Sequence, residues 1–210
     1  TAVGYEALSG VTGVDGISMN TAVGYIAGKG ITTGISNTIV GALAGDAFDT
    51  NSGNTFIGRS AGGGTSADAD NCVGIGMLAL SGDATADGTV AIGQQALSAL
   101  SSGSENTAIG YQAGKLITTG QYNTILGNDA MIAQVFGDNN VAIGRRAFYS
   151  LANADGAGNN VAIGVDAGEW ATTAENSVFI GSEAGQGITG AKLTGNDNTA
   201  IGSGAGLLLQ

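Results

Sequence analysis

The chain has 210 residues, 17 acidic and 6 basic side chains, a net charge of −11, 39 glycines, and neither histidine nor proline. Without histidine there is no commonest general base or metal ligand, and no Ser-His-Asp or Cys-His arrangement. The acidic balance supplies no basic stripe for phosphates or anionic lipid, and no segment approaches the roughly 18 apolar residues of a membrane span, so neither nucleic acid nor membrane insertion is expected.

A cassette of the form N-T-A-I-G-x-x-A then recurs from one end of the chain to the other. Its glycine stands at Gly4, Gly24, Gly41, Gly58, Gly76, Gly93, Gly110, Gly127, Gly144, Gly164, Gly181 and Gly202, in steps of 20, 17, 17, 18, 17, 17, 17, 17, 20, 17 and 21 residues. A fixed short period of this kind means a solenoid. Seventeen residues are too few for two helices but enough for two short strands and two turns. The expectation is therefore an all-β parallel solenoid of about twelve coils over residues 1–210, about 55–60 Å long at strand spacing. The longer steps are read as surface insertions, as at Val11–Asp15 and Ala154–Gly158. Thr1 begins inside a cassette and Leu207–Gln210 stop just after the last one, so a segment of a longer fibre protein is expected.

Each cassette position has its own demand. Asparagine precedes the glycine by four residues at Asn20, Asn37, Asn54, Asn106, Asn123, Asn140, Asn160 and Asn198, which predicts an amide ladder from coil to coil. Next come Thr or Val, a small or apolar residue, and Ile, Val or Leu, which together read as a strand. The glycine ends the strand where a Cβ would clash or φ is positive. An alanine follows three residues later in every copy. Gly24, Ala27, Gly41, Ala44, Gly110, Ala113, Gly144 and Ala147 represent these coil-forming positions.

The residue two before the glycine lies opposite the aliphatic one by strand alternation. It is Ala22, Ile39, Phe56, Ala91, Ala108, Ile125, Ala142, Ala162, Phe179 and Ala200 in ten of the copies. With apolar residues on both strand faces, one face fills the coil and the other needs a partner. These ten residues are expected to form the face between identical chains packed around a rotation axis.

No cofactor, metal or catalytic site is expected. Gly62-Gly63-Gly64-Thr65 lacks the lysine and helix of a phosphate loop. Asp46 with Asp49, and Asp68 with Asp70, sit in predicted turns, where aspartate is a turn former. Cys72 is the single cysteine and replaces an asparagine of the ladder. The I-G-x-x-A unit resembles the hexapeptide of left-handed β-helix acyltransferases, but occurs once per coil and lacks their histidine base. Tyr5, Tyr25, Arg59, Tyr111 and Arg145 each follow a repeat glycine and would share one column, a candidate surface for sugar or protein.

The stretches Asn106–Gly114, Asn140–Ala147 and Asn160–Gly168 resemble the head repeats of YadA-like trimeric autotransporter adhesins, and related repeats of phage tail fibres. The resemblance runs over essentially the whole chain, though the unit is longer than the usual adhesin head repeat and closer to the fibre form. It implies a left-handed parallel β-roll assembled as a homotrimer, with two identical chains and a host-cell surface glycan or protein as partners. The function expected is a non-enzymatic structural and adhesive segment of a virion tail fibre. The head of a bacterial surface adhesin is the alternative, and an ice- or surface-binding solenoid, suggested by Thr21, Thr38 and Thr55, is the third reading.

Overall fold

The structure is a computed structural model and describes residues 1–12, 19–64, 69–82, 85–150, 158–187 and 195–207. Residues 13–15 and 154–157 of the expected insertions, and Thr65 and Asp68, lie outside the described residues. The chain is an all-β solenoid with one short strand per repeat. The strands are β1 (Ala2–Val3), β2 (Thr21–Val23), β3 (Thr38–Val40), β4 (Thr55–Ile57), β5 (Val73–Ile75), β6 (Val90–Ile92), β7 (Thr107–Ile109), β8 (Thr124–Leu126), β9 (Val141–Ile143), β10 (Val161–Ile163), β11 (Val178–Ile180) and β12 (Thr199–Ile201). They form a single parallel sheet in sequence order. The register puts like on like: Thr38 pairs with Thr55, Ala91 with Ala108, and Ile163 with Ile180. A constant repeat length forces this, because each coil returns the chain to the same place one rung on.

The second strand expected in each coil is not formed among the described residues. Its place is taken by turns whose backbone repeatedly enters the left-handed region. The residue two after the repeat glycine does so even when it is not glycine, as at Ile26 (φ 60°), Gln112 (φ 54°) and Arg146 (φ 57°). Left-handed backbone costs about 1–2 kcal/mol for an L-residue. Bonds between coils offset that cost: the Ile26 N–H donates to Tyr5 C=O at 2.8 Å, and the Gln112 N–H to Gln94 C=O at 2.9 Å.

The repeat glycine is fixed twice over. Gly110 has φ +141°, and a Cβ there would lie 2.3 Å from the Gly127 carbonyl oxygen of the next coil. No other residue fits so close a stack. The alanine three residues later points inward and is fully buried at Ala27, Ala44, Ala113 and Ala147. Its carbonyl receives the preceding coil, as where Gly28 N–H donates to Ala44 at 2.9 Å and Leu97 N–H to Ala113 at 3.0 Å.

The two strand faces are the reverse of the expectation. Ala22, Ile39, Phe56, Ala91, Ala108, Ile125, Ala142, Ala162, Phe179 and Ala200 do not form an outer face; they fill the interior of a single chain, none more than 5% exposed. The aliphatic residue next to each glycine points outward instead. The reason is volume. The turns also send large side chains inward, among them Leu80, Leu97, Met131 and Phe148, together with Ile31, Leu100 and Ile117. In the coils with the largest strand residues, the turn contributes little. Phe56 faces Gly62, where a Cβ would fall 2.7 Å from the ring, and Phe179 faces Gly185, where it would fall 2.1 Å away. Conversely Ala91 shares its coil with Leu97, and Ala142 with Phe148. In these four coils large on one side goes with small on the other, as close packing favours, whereas Ile125 and Met131 are both buried in one coil.

The asparagine ladder is present. Oδ1 of Asn20 accepts the Asn37 N–H at 2.8 Å, Asn37 the Asn54 N–H at 2.9 Å, and Asn123 the Asn140 N–H at 2.9 Å. Each rung is thus carried by the carbonyl side. The amide mostly donates across its own coil, as from Asn20 to Gly34 C=O at 2.7 Å and from Asn123 to Gly137 C=O at 2.8 Å. Asn123, Asn140 and Asn160 also donate back to the preceding asparagine. Asn20, Asn37, Asn54, Asn106, Asn123 and Asn160 each accept a backbone N–H of the next coil and donate to a backbone carbonyl, a demand met far more easily by an amide than by any apolar side chain.

Candidate functional site

The outward strand face is built from two residues per coil. Next to the glycine, Val3 is 57% exposed, Ile57 39%, Leu126 45% and Ile201 66%. Two residues earlier stands the Thr/Val column, with Thr38, Thr124 and Thr199 exposed and Thr21, Thr55 and Thr107 half-buried. Parallel in-register pairing makes this a regular ribbon along the whole sheet, β-branched at every position but Leu126. Ribbons of this extent rarely face water without a role.

The Tyr/Arg column only partly converges. Tyr5 and Tyr25 stack, their ring centroids 5.5 Å apart and their planes within 12°. Beside them Lys29 Nζ lies 2.6 Å from Glu6. The Lys29 ammonium, aided by the Tyr5 hydroxyl, holds the Glu6 carboxyl below its usual value, and Glu6 raises Lys29. Both partners are on the surface, so the pair contributes little to stability. Tyr111 stands apart, 45% exposed. Arg59 donates to the Met77 sulfur at 3.3 Å, and Arg145 to Asp166 Oδ2 at 2.8 Å. The five residues share a column but form no common site.

The turn carboxylates act as inter-coil acceptors. Asp70 Oδ1 takes the Ser52 N–H at 2.7 Å, Asp87 the Asp70 N–H at 2.9 Å, and Asp138 the Gln121 N–H at 2.9 Å. Asp49 accepts the Thr32 hydroxyl. Burial pushes the Asp46 carboxyl above its ordinary value, with an opposing pull from its own backbone N–H. Among the described residues no group of three or more His, Cys, Asp or Glu side chains could hold a metal ion. A shallow cavity of about 220 Å³ lies between Phe136–Asn139, Gly158, Asn159 and Glu175.

Cys72 is buried and occupies a ladder rung. Its N–H donates to Asn54 Oδ1 at 2.8 Å and its thiol to Ala86 C=O at 3.0 Å. Burial pushes the thiol up to about 11, with Asp87 and Asp70 adding to the shift. Such a thiol is a packed side chain and a poor nucleophile at neutral pH.

One cluster was not legible in the sequence. On the turns following β9, β10 and β11, Arg146 bonds Glu169 Oε1, and Gln186 Nε2 donates to Glu169 Oε2 at 2.7 Å. The Arg146 guanidinium lies 4.6 Å over the Tyr149 ring, and Tyr149 meets Trp170 edge-on at 6.4 Å. The available signal was positional. Five and six residues after the repeat glycine, the earlier coils carry small residues (Ser9, Gly10, Gly30, Ala47, Gly63, Gly64, Ser81, Gly82, Ser98, Ala99 and Ala133), charges (Lys29, Asp46 and Lys115) or an aliphatic residue (Leu116 and Ile132), and none carries an aromatic ring, against Tyr149 and Trp170 here.

No helix among the described residues is long and apolar enough to cross a membrane. Compared with known proteins, the chain matches no family model, no curated protein and no solved structure.

Proposed function

We propose that this chain is a non-enzymatic structural and adhesive segment of a surface fibre, a left-handed β-roll that works as a homotrimer in a phage tail fibre and contributes to host attachment. One observation carries the reading: the aliphatic column of Ile57, Ile109, Leu126 and its equivalents stands outside a chain whose interior is already full. Among the described residues that ribbon stays exposed or half-buried along every strand. Two further copies around an axis would bury it along its whole length, each rung meeting its equivalents by symmetry. The tail-fibre form is preferred over a bacterial adhesin head because its N-T-x-I-G-Y-x-A-G units are the longer kind.

The test is assembly mass. Sedimentation at micromolar concentration should give three chains, and Ile109→Asp with Ile143→Asp should give one folded chain. A single-chain mass for the unmodified protein would overturn the trimer. A second reading has its own support in the Thr column of the same ribbon. For an ice- or surface-binding solenoid the protein would be monomeric and would show thermal hysteresis, lost on replacing Thr38 and Thr55 with lysine.

A further inference from the structure

We infer that the corner made by Arg146, Tyr149, Glu169, Trp170 and Gln186 is a binding site for a neutral hexopyranose oligosaccharide. The inference rests on the adhesive reading and supplies its ligand class. The first argument is that stacking does not need these residues. At the same turn positions most other coils use glycine, alanine, serine or a single charged residue, and they stack in the same register. Leu116 and Ile132 show that an aliphatic side chain is accepted there, but aromatic rings stand at these positions only as Tyr149 and Trp170 and need another explanation.

The second argument is arrangement. Tyr149 and Trp170 are both half-buried, their planes meet at 68° with centroids 6.4 Å apart, and the Arg146 guanidinium covers one face of Tyr149, so each ring keeps part of its surface toward solvent. Aromatic ring faces suit the C–H faces of a pyranose, and Tyr and Trp also bring a polar edge. Around them the polar groups are held by one another. Arg146 bonds Glu169, whose other oxygen accepts from Gln186 at 2.7 Å, and Arg145 bonds Asp166 at 2.8 Å. Planar amide and guanidinium groups fixed in this way can meet vicinal hydroxyls without losing further rotamer freedom.

The third argument is cost. Glu169 is 3% exposed, and buried ion pairs are weak stabilisers compared with apolar packing. Asp166 Oδ1 is buried without a hydrogen-bond partner, its nearest cation Arg146 Nε at 3.9 Å. A network that leaves an oxygen unsatisfied is not optimised for stability, which fits a site shaped for a ligand.

The charge selects the ligand. Arg145 and Arg146 are balanced by Asp166 and Glu169, and the chain as a whole carries −11. Acidic sugars are repelled, and neutral ones are not.

Trp170 is the only tryptophan, so its emission reports on this corner alone. The intact chain is applied to an array of immobilised neutral and acidic oligosaccharides, and those retained are titrated by tryptophan fluorescence. The expected result is retention of at least one neutral hexose oligosaccharide with a saturable change in Trp170 emission. Tyr149→Ala and Gln186→Ala should weaken the emission titration about tenfold, corresponding to about 1.4 kcal/mol. Trp170→Ala should abolish retention on the array, and Trp170→Phe should preserve it, with circular dichroism unchanged in every variant. Absence of any retained neutral oligosaccharide, preference for acidic ones, or undiminished retention by folded Trp170→Ala would overturn the inference. Sedimentation separates the two proposals: a monomer that still binds sugar through Trp170 sinks the trimer and upholds this site.

Discussion

Ala108 and Ile109 are neighbours on one strand, with the same backbone pairing above and below, yet Ala108 is fully buried and Ile109 is 37% exposed. The inner column is small and varies with the turn that faces it. The outer column is large, β-branched and nearly constant. The difference teaches that the two columns answer to different constraints. The inner one shares the volume of its coil with the turn, as where Phe56 stands opposite Gly62 and Ala91 opposite Leu97. The outer one balances nothing within the chain, and its constancy along the solenoid is what a shared external partner would require.

The sharpest way to break this comparison is to place the same charge on each column. Ala108→Asp should unfold the solenoid around its coil, a loss of more than about 4 kcal/mol, because a carboxylate would be buried without a partner. Ile109→Asp should leave the unfolding of the separate chain within about 1 kcal/mol. Thermal melts by circular dichroism, paired with sedimentation, check both. Equal damage by the two changes would mean that the columns are not distinct.

Volume balance can be sharpened by moving volume from strand to turn. Phe56→Ala should cost about 3–5 kcal/mol. The double change Phe56→Ala with Gly62→Leu recreates the pairing that Ala91 and Leu97 already use, and Leu97 holds the left-handed backbone required at that position (φ 48°). The double variant should regain at least half of the lost stability in denaturant unfolding. Failure to regain any would show that coil volume is not the governing quantity.

A smaller effect is expected from the ladder. Asn123→Ala removes the acceptor of the Asn140 N–H and the donor to Gly137, for a loss of about 1–3 kcal/mol. Asn198, at the less buried end of the ladder, should lose less on the same change. The smallest effect belongs to Cys72. In the folded chain it should resist disulfide-exchange reagents at pH 8 and react once the chain is denatured. Its thiol is raised from 9.0 to about 11 on folding. Between those values the unfolded chain is the more deprotonated, so its contribution to stability is intact below pH 9 and is lost as pH rises toward 11. Rapid labelling of the folded protein at pH 8 would contradict this.

Much of the coil was legible because its demands repeat. Gly24, Gly41, Gly110 and Gly144 announced a position that admits no Cβ, and Ala27, Ala44, Ala113 and Ala147 one that admits no more than a methyl. Asn37 and Asn123 announced a buried ladder, although the carbonyl rather than the amide carries each rung. The cluster around Arg146 was not legible, because Arg146, Glu169 and Gln186 belong to three successive coils and follow no repeated pattern. The Tyr column was legible as a column but not as a site, since only Tyr5 and Tyr25 touch.

The sequence by itself determined the period, the parallel in-register stacking and the residues that cannot change, because a coil that returns to the same place stacks each residue on its counterpart. Which strand face lies inside was decided only by the tertiary structure. Alternation says that Ala108 and Ile109 point in opposite directions and nothing more. The direction of each depends on the space left by Leu97, Ile117 and Met131 arriving from the turns, and that volume is a property of the closed coil, not of the strand.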